Sequence, residues 1–511
     1  MRVKIPPGTT HPRSLSDQVR AGAFWAGGNA LFLRFANIAI MAVVARIVAP
    51  EELGVFALTL VVHGVVASLA ELGVSSAIAR SDQDLKSIAP TVMTISIVTS
   101  LAFAAVMVIF AEPIATAMGS ADAAEPLRVM AICIALVGPF AVPGAQLQRE
   151  FRQDLIFRAS AIAFIPGNAV LIVAALLGDG AMAFAWSRVV GQLIVGTLLV
   201  MSVNQRFWPG LNTRVLRSLI RFGLPLALAN VLSQVLLNVD YVFIGRVLNI
   251  ADVGLYNLAF NISLWSTAVI GSMLNGIVLP AFSRVRQEGG DLPAALRSAV
   301  RTVALVAAPL AAMAFALAEP LIVTIYGTKW AGAAPVLMVL SIYGFMSVIC
   351  LLLANVVVST GRTVVLFTVQ IVALAALIPV MWVGVTVAGL VGVAVSHIVV
   401  IVCATFPLYV FAIKRTMGTG LLLILRALAW PACSAVLAGA AAWAGALVSA
   451  VPIGQLLIGG TVGALVYLLL TARQLKVIFP TEGRLRRIRG VLNGLSLPAD
   501  WVIHRIDRSA S

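Results

Sequence analysis

Long uncharged stretches, separated by short segments that hold most of the charged residues, follow one another along almost the whole chain. Each stretch is rich in Ala, Val, Leu and Ile and reaches the about 20 residues that a helix needs to cross a hydrocarbon layer of roughly 30 Å. The stretch between Arg362 and Lys414 is too long for one crossing, and the glycines within 384–389 predict a break. A second break is predicted at 449–454. The pattern therefore predicts consecutive membrane-spanning helices.

This pattern predicts an all-α polytopic membrane protein with about fourteen transmembrane helices. The predicted spans, numbered 1 to 14 in chain order, are 22–47, 53–79, 88–111, 126–148, 157–178, 181–203, 222–247, 254–282, 297–318, 335–358, 363–384, 389–411, 422–448 and 454–471. Twelve spans, without the last two, is the chief alternative.

Composition supports a membrane protein, because 61% of the 511 residues are hydrophobic and only 11% are charged. Soluble domains are roughly 45–50% apolar and about 25% charged, so the composition argues against a soluble enzyme, a nucleic-acid-binding domain and a disordered chain. Most of the 35 Lys and Arg residues fall in alternate connecting segments. Because basic residues favour the cytoplasmic side, both termini are predicted to be cytoplasmic, and the net charge is no sign of a nucleic-acid partner.

An internal repeat relates the two halves of the chain. Residues 46–57 match 246–257 at a constant offset, and 112–119 match 319–327 with one extra residue. Six spans per unit is an even number, so both units enter the membrane with the same orientation. Parallel repeats are typical of carriers whose substrate site lies between the two halves.

The repeat and the charge pattern together predict the domain organisation. It comprises a cytoplasmic N-terminal arm (1–21), an N-lobe of spans 1–6 (22–203), a cytoplasmic linker (204–221), a C-lobe of spans 7–12 (222–411), spans 13–14 (422–471) and a basic cytoplasmic tail (472–511).

Two arginines fall inside predicted spans, where a charged group is costly and invites a functional explanation. Arg34 is near the middle of span 1 with Asn37 one turn on, and Arg188 is in span 6 with Gln192 four residues later. We predict that these four residues line a substrate cavity. The alternative for each arginine is a partner within its own lobe or an extension of the side chain to the headgroups.

Amide side chains form stripes on two consecutive spans of the second lobe. Asn230, Gln234 and Asn238 share one face of span 7, and Asn257 and Asn261 share one face of span 8. Such stripes can join helices by hydrogen bonds. Two of them in one lobe favour the wall of a hydrated substrate cavity.

Asp240 lies off the span-7 stripe and is the candidate for coupling transport to H⁺ or Na⁺. The alternative is a helix-end partner for Arg246. Structural roles are predicted for Arg46 and Arg246, and a packing role for His397.

Catalytic and metal-binding patterns are missing from the sequence. It has no Gly-rich phosphate loop, no HExxH motif and no Ser/His/Asp order, and its four cysteines show no CxxC spacing. We therefore predict no enzymatic activity, no metal site and no cofactor beyond a coupling ion.

Five segments carry a resemblance to the polysaccharide-transporter (Wzx-type oligosaccharide flippase) family. They are GAFW at 22–25, ARIVAPEELGVFA at 45–57, ELGVSSA at 71–77, QLQREFR at 146–152 and NVDYVFIGR at 238–246. This family belongs to a superfamily that includes multidrug (MATE) exporters and lipid II (MurJ) flippases. The resemblance implies two lobes of six spans and a lateral opening near spans 1 and 8.

The resemblance and the polar spans together predict a flippase of the bacterial cytoplasmic (inner) membrane. Its substrate would be a polyprenyl-diphosphate-linked oligosaccharide, moved from the inner to the outer leaflet by alternating access for cell-surface polysaccharide biosynthesis. Membrane lipids, a glycan polymerase and the chain-length machinery are the candidate partners. The alternatives are a lipid II flippase, a MATE-like cation-coupled drug exporter and, in a different class, a scaffold of a glycan-assembly complex.

Overall fold

The computed structural model describes residues 36–71, 85–203, 205, 207–264, 282, 290–360 and 362–478. These parts of the chain are helices joined by short turns, and none of them forms a strand. A helix satisfies its backbone hydrogen bonds within its own segment, as a chain in hydrocarbon requires. The predicted all-α membrane fold is confirmed.

The helices are numbered in chain order over the described residues. They are α1 (Ala36–Ile47), α2 (Pro50–Glu71), α3 (Leu85–Ile109), α4 (Ala111–Met118), α5 (Ala124–Arg149), α6 (Gln153–Leu176), α7 (Gly180–Ser202), α8 (Thr213–Val247), α9 (Ile250–Ser263), α10 (Leu292–Ala316), α11 (Ala318–Tyr326), α12 (Ala334–Ser359), α13 (Thr363–Val400), α14 (Phe406–Met417), α15 (Leu421–Ala446) and α16 (Pro452–Ile478). We call α1–α7 the N-lobe, α8–α14 the C-lobe and α15–α16 the terminal pair.

Eleven helical segments of the described part are long and apolar enough to cross a membrane. One of them, Val364–Met417, is too long for a single crossing. Its backbone leaves helical geometry at Ala388 and Gly389, where Gly389 has a φ of +55° that favours glycine. The Ser396 hydroxyl donates to the carbonyl of Val380 at 3.1 Å, so the chain doubles back at the bend. The predicted break is found here, and the count of fourteen spans stays a prediction.

Two short helices, α4 and α11, occupy segments that the sequence pattern treated as connections between spans. Each has a Glu-Pro pair in its first turn, Glu112–Pro113 and Glu319–Pro320. Proline in the first turn has the φ that a helix needs, and an acidic residue there is favoured by the helix dipole. The second segment of the repeat therefore encodes an additional helix in each lobe.

The largest cluster of buried side chains crosses from one lobe to the other. It includes residues of α1, α2 and α7 in the N-lobe and of α8, α9, α11 and α12 in the C-lobe. Phe56 stacks on Phe184 with ring centroids 4.7 Å apart, and Tyr241 meets Tyr256 edge to face at 5.7 Å. Burial of this apolar surface holds the lobes together around the ends of α1 and α8.

Candidate functional site at the lobe interface and in the polar interior

Two arginines at equivalent positions of the repeat join the lobes reciprocally. Arg46, at the end of α1, donates through a terminal guanidinium nitrogen to the carbonyl of Thr324 in α11 at 2.6 Å. Arg246, at the end of α8, donates through Nε to the carbonyl of Ala117 in α4 at 2.6 Å. Each arginine therefore satisfies a carbonyl near the end of the short helix in the opposite lobe, where a helix has unpaired acceptors.

A second set of bonds at the same end has no counterpart in the N-lobe among the residues that the structure describes. Trp330 is fully buried and donates its indole N–H to the carbonyl of Ala45 at 2.7 Å. The Lys329 ammonium donates to the carbonyls of Arg46 at 3.2 Å and Val48 at 2.7 Å. These donors from the C-lobe satisfy carbonyls in the last turn of α1 and directly after it.

Two glycines allow α2 and α9 to touch through their backbones. A methyl group on Gly54 would overlap the carbonyl oxygen of Ile250, and one on Gly254 would overlap the carbonyl oxygen of Pro50. The four positions form two equivalent pairs of the repeat, so the contact is symmetric. With the arginine bonds, it closes this end of the lobe interface.

Hydrogen bonds connect the amide stripe of α9 to α8. Asn257 donates to the Tyr241 hydroxyl at 3.2 Å, and Asn261 donates to the Asn257 side-chain oxygen at 3.2 Å. Closer to the start of α8, Asn238 donates to the backbone carbonyl of Gln234 at 2.8 Å. These bonds leave further donors and acceptors of the amides available for a ligand.

The two ends of this polar stripe are exposed. Asn230 and Asn261 are exposed, and Gln234, Asn238 and Asn257 are partly buried. An exposed amide on a membrane-spanning helix is costly against lipid. Their exposure therefore favours a hydrated cavity beside α8 and α9.

Arg188 lies on α7 within electrostatic reach of His63 on α2 and Cys133 on α5. Its side chain is exposed. Gln192, one turn on, donates to the carbonyl of Cys133 at 2.9 Å. In the described part of the chain, no carboxylate lies within 4.0 Å of the Arg188 guanidinium.

The remaining predicted cavity residues are at the start of the chain. Asn37 is exposed on α1. Arg34 lies outside the described residues, so its predicted role stays a prediction.

Asp240 is fully buried in the C-lobe. It lies next to His397, for which the sequence predicted only a packing role. Its Oδ2 lies 3.6 Å from Nε2 of His397, which is itself buried, and its Oδ1 accepts the backbone N–H of Tyr241 at 3.1 Å. The ring centroids of Tyr343 and the imidazole lie 4.9 Å apart, and the phenol of Tyr256 is buried as well. Arg246, the alternative partner, is bonded to the other lobe instead.

The sequence of this chain matches a known protein family. A family model described as polysaccharide biosynthesis protein matches residues 43–335, more than half of the chain. The chain belongs to this family. The resemblance seen in the sequence motifs is thereby confirmed.

Two relatives of this chain illustrate the family. It is 28% identical over 317 residues to the succinoglycan biosynthesis transport protein ExoT of Rhizobium meliloti, a match that covers 61% of this chain and 62% of the relative. The chain thus spans less than two thirds of that relative's length. It is 20% identical over 412 residues to the lipopolysaccharide biosynthesis protein WzxC of Escherichia coli, covering 80% and 83% of the two chains.

Solved structures share the fold of this family member. The lipid II flippase MurJ, in an inward closed conformation, has a TM-score of 0.74 at 14% identity and covers 89% of this chain and 100% of its own. An inward-facing MATE multidrug transporter of the MOP superfamily has a TM-score of 0.58 at 18% identity, covering 75% and 95%. The described part of the chain therefore shares the fold of these structures, and eleven of its helical segments are long and apolar enough to cross a membrane.

Proposed function

We propose that this transporter moves a polyprenyl-diphosphate-linked oligosaccharide from the inner to the outer leaflet of the bacterial cytoplasmic membrane. The observation that carries the proposal is the exposed Arg188 in the membrane-spanning helix α7, with no carboxylate in ion-pair distance among the described residues. Exported glycan of this kind would then pass to a polymerase and chain-length machinery.

The substrate presents a physical problem that such an arginine addresses. A diphosphate and several sugars would lose their water shell in hydrocarbon, at a cost of several kcal/mol for every unpaired polar group and far more for an ionised phosphate. A guanidinium replaces that shell with a planar fork of donors matched to phosphate oxygens. The amides of α8 and α9 offer donors and acceptors to the sugars, while the polyprenyl chain stays in lipid.

The lobe contacts indicate how access would alternate. The bonds of Arg46, Arg246 and Trp330 close one end of the lobe interface, the end predicted to face outward. Rocking of the two lobes would break these bonds and open that end. An inside-negative potential assists the export of an anion by about 2.3 kcal/mol per charge per 100 mV.

The test is flipping of a fluorescent polyprenyl-diphosphate glycan by the full-length protein in liposomes, normalised to inserted protein. Arg188→Gln is expected to lower the rate per molecule by about 30-fold, because it removes a partly desolvated charge partner of the substrate. Arg188→Lys should restore part of the rate, since it keeps the charge without the fork.

A matched control is Arg128→Gln in the same lobe, because the Arg128 side chain is paired with Glu125 at the start of α5. It should flip at the wild-type rate. A wild-type rate per molecule for Arg188→Gln would contradict the proposal. Transport of a cationic drug, or of lipid II in preference to the other glycan, would support the corresponding alternative, and a wild-type protein without any flipping activity would favour the scaffold.

We further propose that the coupling ion is a proton and that Asp240 and His397 hold it. A carboxylate buried at membrane depth is stable only when it is protonated, paired or bound to a cation. Here the neighbour at 3.6 Å is an imidazole, the side chain whose ordinary pKa is nearest to neutral pH. The other titratable groups around the pair are the phenols of Tyr241, Tyr256 and Tyr343.

Proteoliposomes with an imposed pH gradient or an imposed sodium gradient separate the two ions. Asp240→Asn and His397→Gln should each remove the acceleration by a pH gradient and keep the basal rate. Asp179→Asn, which changes an exposed carboxyl group at the turn before α7, is the control and should keep the acceleration. Acceleration of the wild type by sodium alone, or an unchanged pH-gradient response in Asp240→Asn, would contradict proton coupling.

A further inference from the structure

A cavity of about 530 Å³ opens where the terminal pair meets the C-lobe, away from the lobe interface. Arg297 and Arg301 of α10 line one side, and Arg426 and Trp430 of α15 line the other. Thr419, in the turn before α15, completes the wall. By the charge pattern, this end of α10 and α15 faces the cytoplasm.

The three arginines gather positive charge in one place without protein anions to balance it. All three are exposed, and none has a carboxylate within 4.0 Å among the residues that the structure describes. Arg301 donates through Nε to the side-chain oxygen Oε1 of Gln474 at 3.1 Å, and glutamine carries no charge. Convergent guanidiniums of this kind match the oxygens of a phosphate group.

A second observation points to a ligand in the same cavity. The Thr419 hydroxyl oxygen is buried and has no hydrogen-bond partner in the described part of the structure. A buried hydroxyl without a partner is costly. A phosphate oxygen held by the arginines is an acceptor that this hydroxyl could reach from the cavity wall.

The surroundings of the cavity suit a lipid better than a free ion. The Trp430 indole donates to the carbonyl of Leu470 at 3.3 Å and is half exposed, the arrangement that membrane-interface tryptophans adopt. Farther along α10 and α15 lies an apolar cavity of about 630 Å³ that includes Phe315 and Trp443. Polar and apolar cavities thus follow each other along the same two helices.

We propose that the arginine cavity binds the phosphate of an anionic membrane lipid in the cytoplasmic leaflet. The lipid bridges α10 of the C-lobe and α15 of the terminal pair and so fastens the pair to the carrier. This site is independent of the substrate proposed above, because it uses neither Arg188 nor the amide stripes.

The binding test uses the full-length protein in nanodiscs of phosphatidylcholine with increasing fractions of phosphatidylglycerol. The triple variant Arg297→Gln/Arg301→Gln/Arg426→Gln is compared with Arg362→Gln/Lys414→Gln/Arg415→Gln, which removes three exposed basic residues from the same predicted face outside the cavity. Phosphatidylglycerol should raise the Tm of the wild type and of the control triple, and not that of the cavity triple. Equal responses of the two triples would overturn the proposal.

The source of the phosphate is decided by competition. Phosphatidylglycerol and phosphatidic acid should bind, whereas inorganic phosphate at the same concentration should leave the Tm unchanged. Equal stabilisation by inorganic phosphate would overturn the lipid assignment. Stabilisation by a polyprenyl diphosphate in place of phosphatidylglycerol would overturn the site's independence from the substrate.

A second measurement avoids the triple variants, whose folding three substitutions can impair, and uses a single substitution. Brominated phosphatidylglycerol should quench part of the tryptophan fluorescence, and that part should be lost in Trp430→Phe. Brominated phosphatidylcholine should quench the two proteins alike. If the difference in quenching between the wild type and Trp430→Phe were the same for both lipids, it would contradict an anion-selective site.

Discussion

The reciprocal bonds of Arg46 and Arg246 make a quantitative prediction about the balance between the two access states. Replacing each arginine by glutamine removes one charge-assisted hydrogen bond to a carbonyl of the opposite lobe, at Thr324 and Ala117. A hydrogen bond to a charged group contributes about 1.5–3 kcal/mol when it is well shielded. Both arginines are exposed, so about 1 kcal/mol for each is the appropriate magnitude.

One substitution should therefore shift the equilibrium away from the closed end by about fivefold, and both together by about 30-fold. The two bonds lie on separate helices, so their effects are expected to add. Arg128→Gln breaks a pair within the N-lobe and should shift nothing.

The assay is the distance between spin labels at Glu112→Cys and Glu319→Cys. These positions are exposed and begin the two short helices at equivalent places of the repeat. The four native cysteines are replaced first, and the labelled pair should show a longer-distance population that grows from wild type to single to double variant. A double variant with the wild-type distance distribution, or an equal shift in Arg128→Gln, would refute the reasoning.

Two further predictions concern stability in detergent. Gly254→Ala should lower the Tm because its methyl group would overlap the Pro50 carbonyl, an overpacking cost of about 1–3 kcal/mol, whereas Gly191→Ala in α7 meets open space and should be neutral. Trp330→Phe should cost about 1–3 kcal/mol because the Ala45 carbonyl loses its buried donor, and Trp208→Phe, at a position 82% exposed, is its control. Equal Tm values within either pair would contradict the respective contact.

The sequence predicted the architecture well where the signal is periodic or repeated. The hydrophobic stretches gave the helices of the described part, and the glycines near 389 gave the bend in α13. The offset of 200 between Arg46 and Arg246 implied equivalent positions in two lobes. The short helices α4 and α11 were missed because they are too brief for a hydrophobic pattern, although Glu-Pro at each start was an available signal.

The residues that the site residues contact could not be predicted from the sequence, for a different reason. Arg46, Arg246 and Trp330 bind backbone carbonyls, and every residue has a carbonyl, so the acceptor leaves no trace in the sequence. Along the sequence, most of the C-lobe lies between Asp240 and His397. They meet only because α13 doubles back, a packing result that a single intramembrane histidine cannot reveal.

The two lobes have the same pattern of helices, but the ionisable residues in their membrane-spanning helices differ. The N-lobe carries the cation Arg188, and the C-lobe carries the acid Asp240 with His397. Opposite charges within one lobe would pair with each other, as Arg128 and Glu125 do at the surface. In the proposed mechanism, their location in different lobes would leave the arginine available for an anion and the carboxylate available to a proton. Rocking of the lobes would then change the surroundings of both groups together, which is the condition for coupling transport to a gradient.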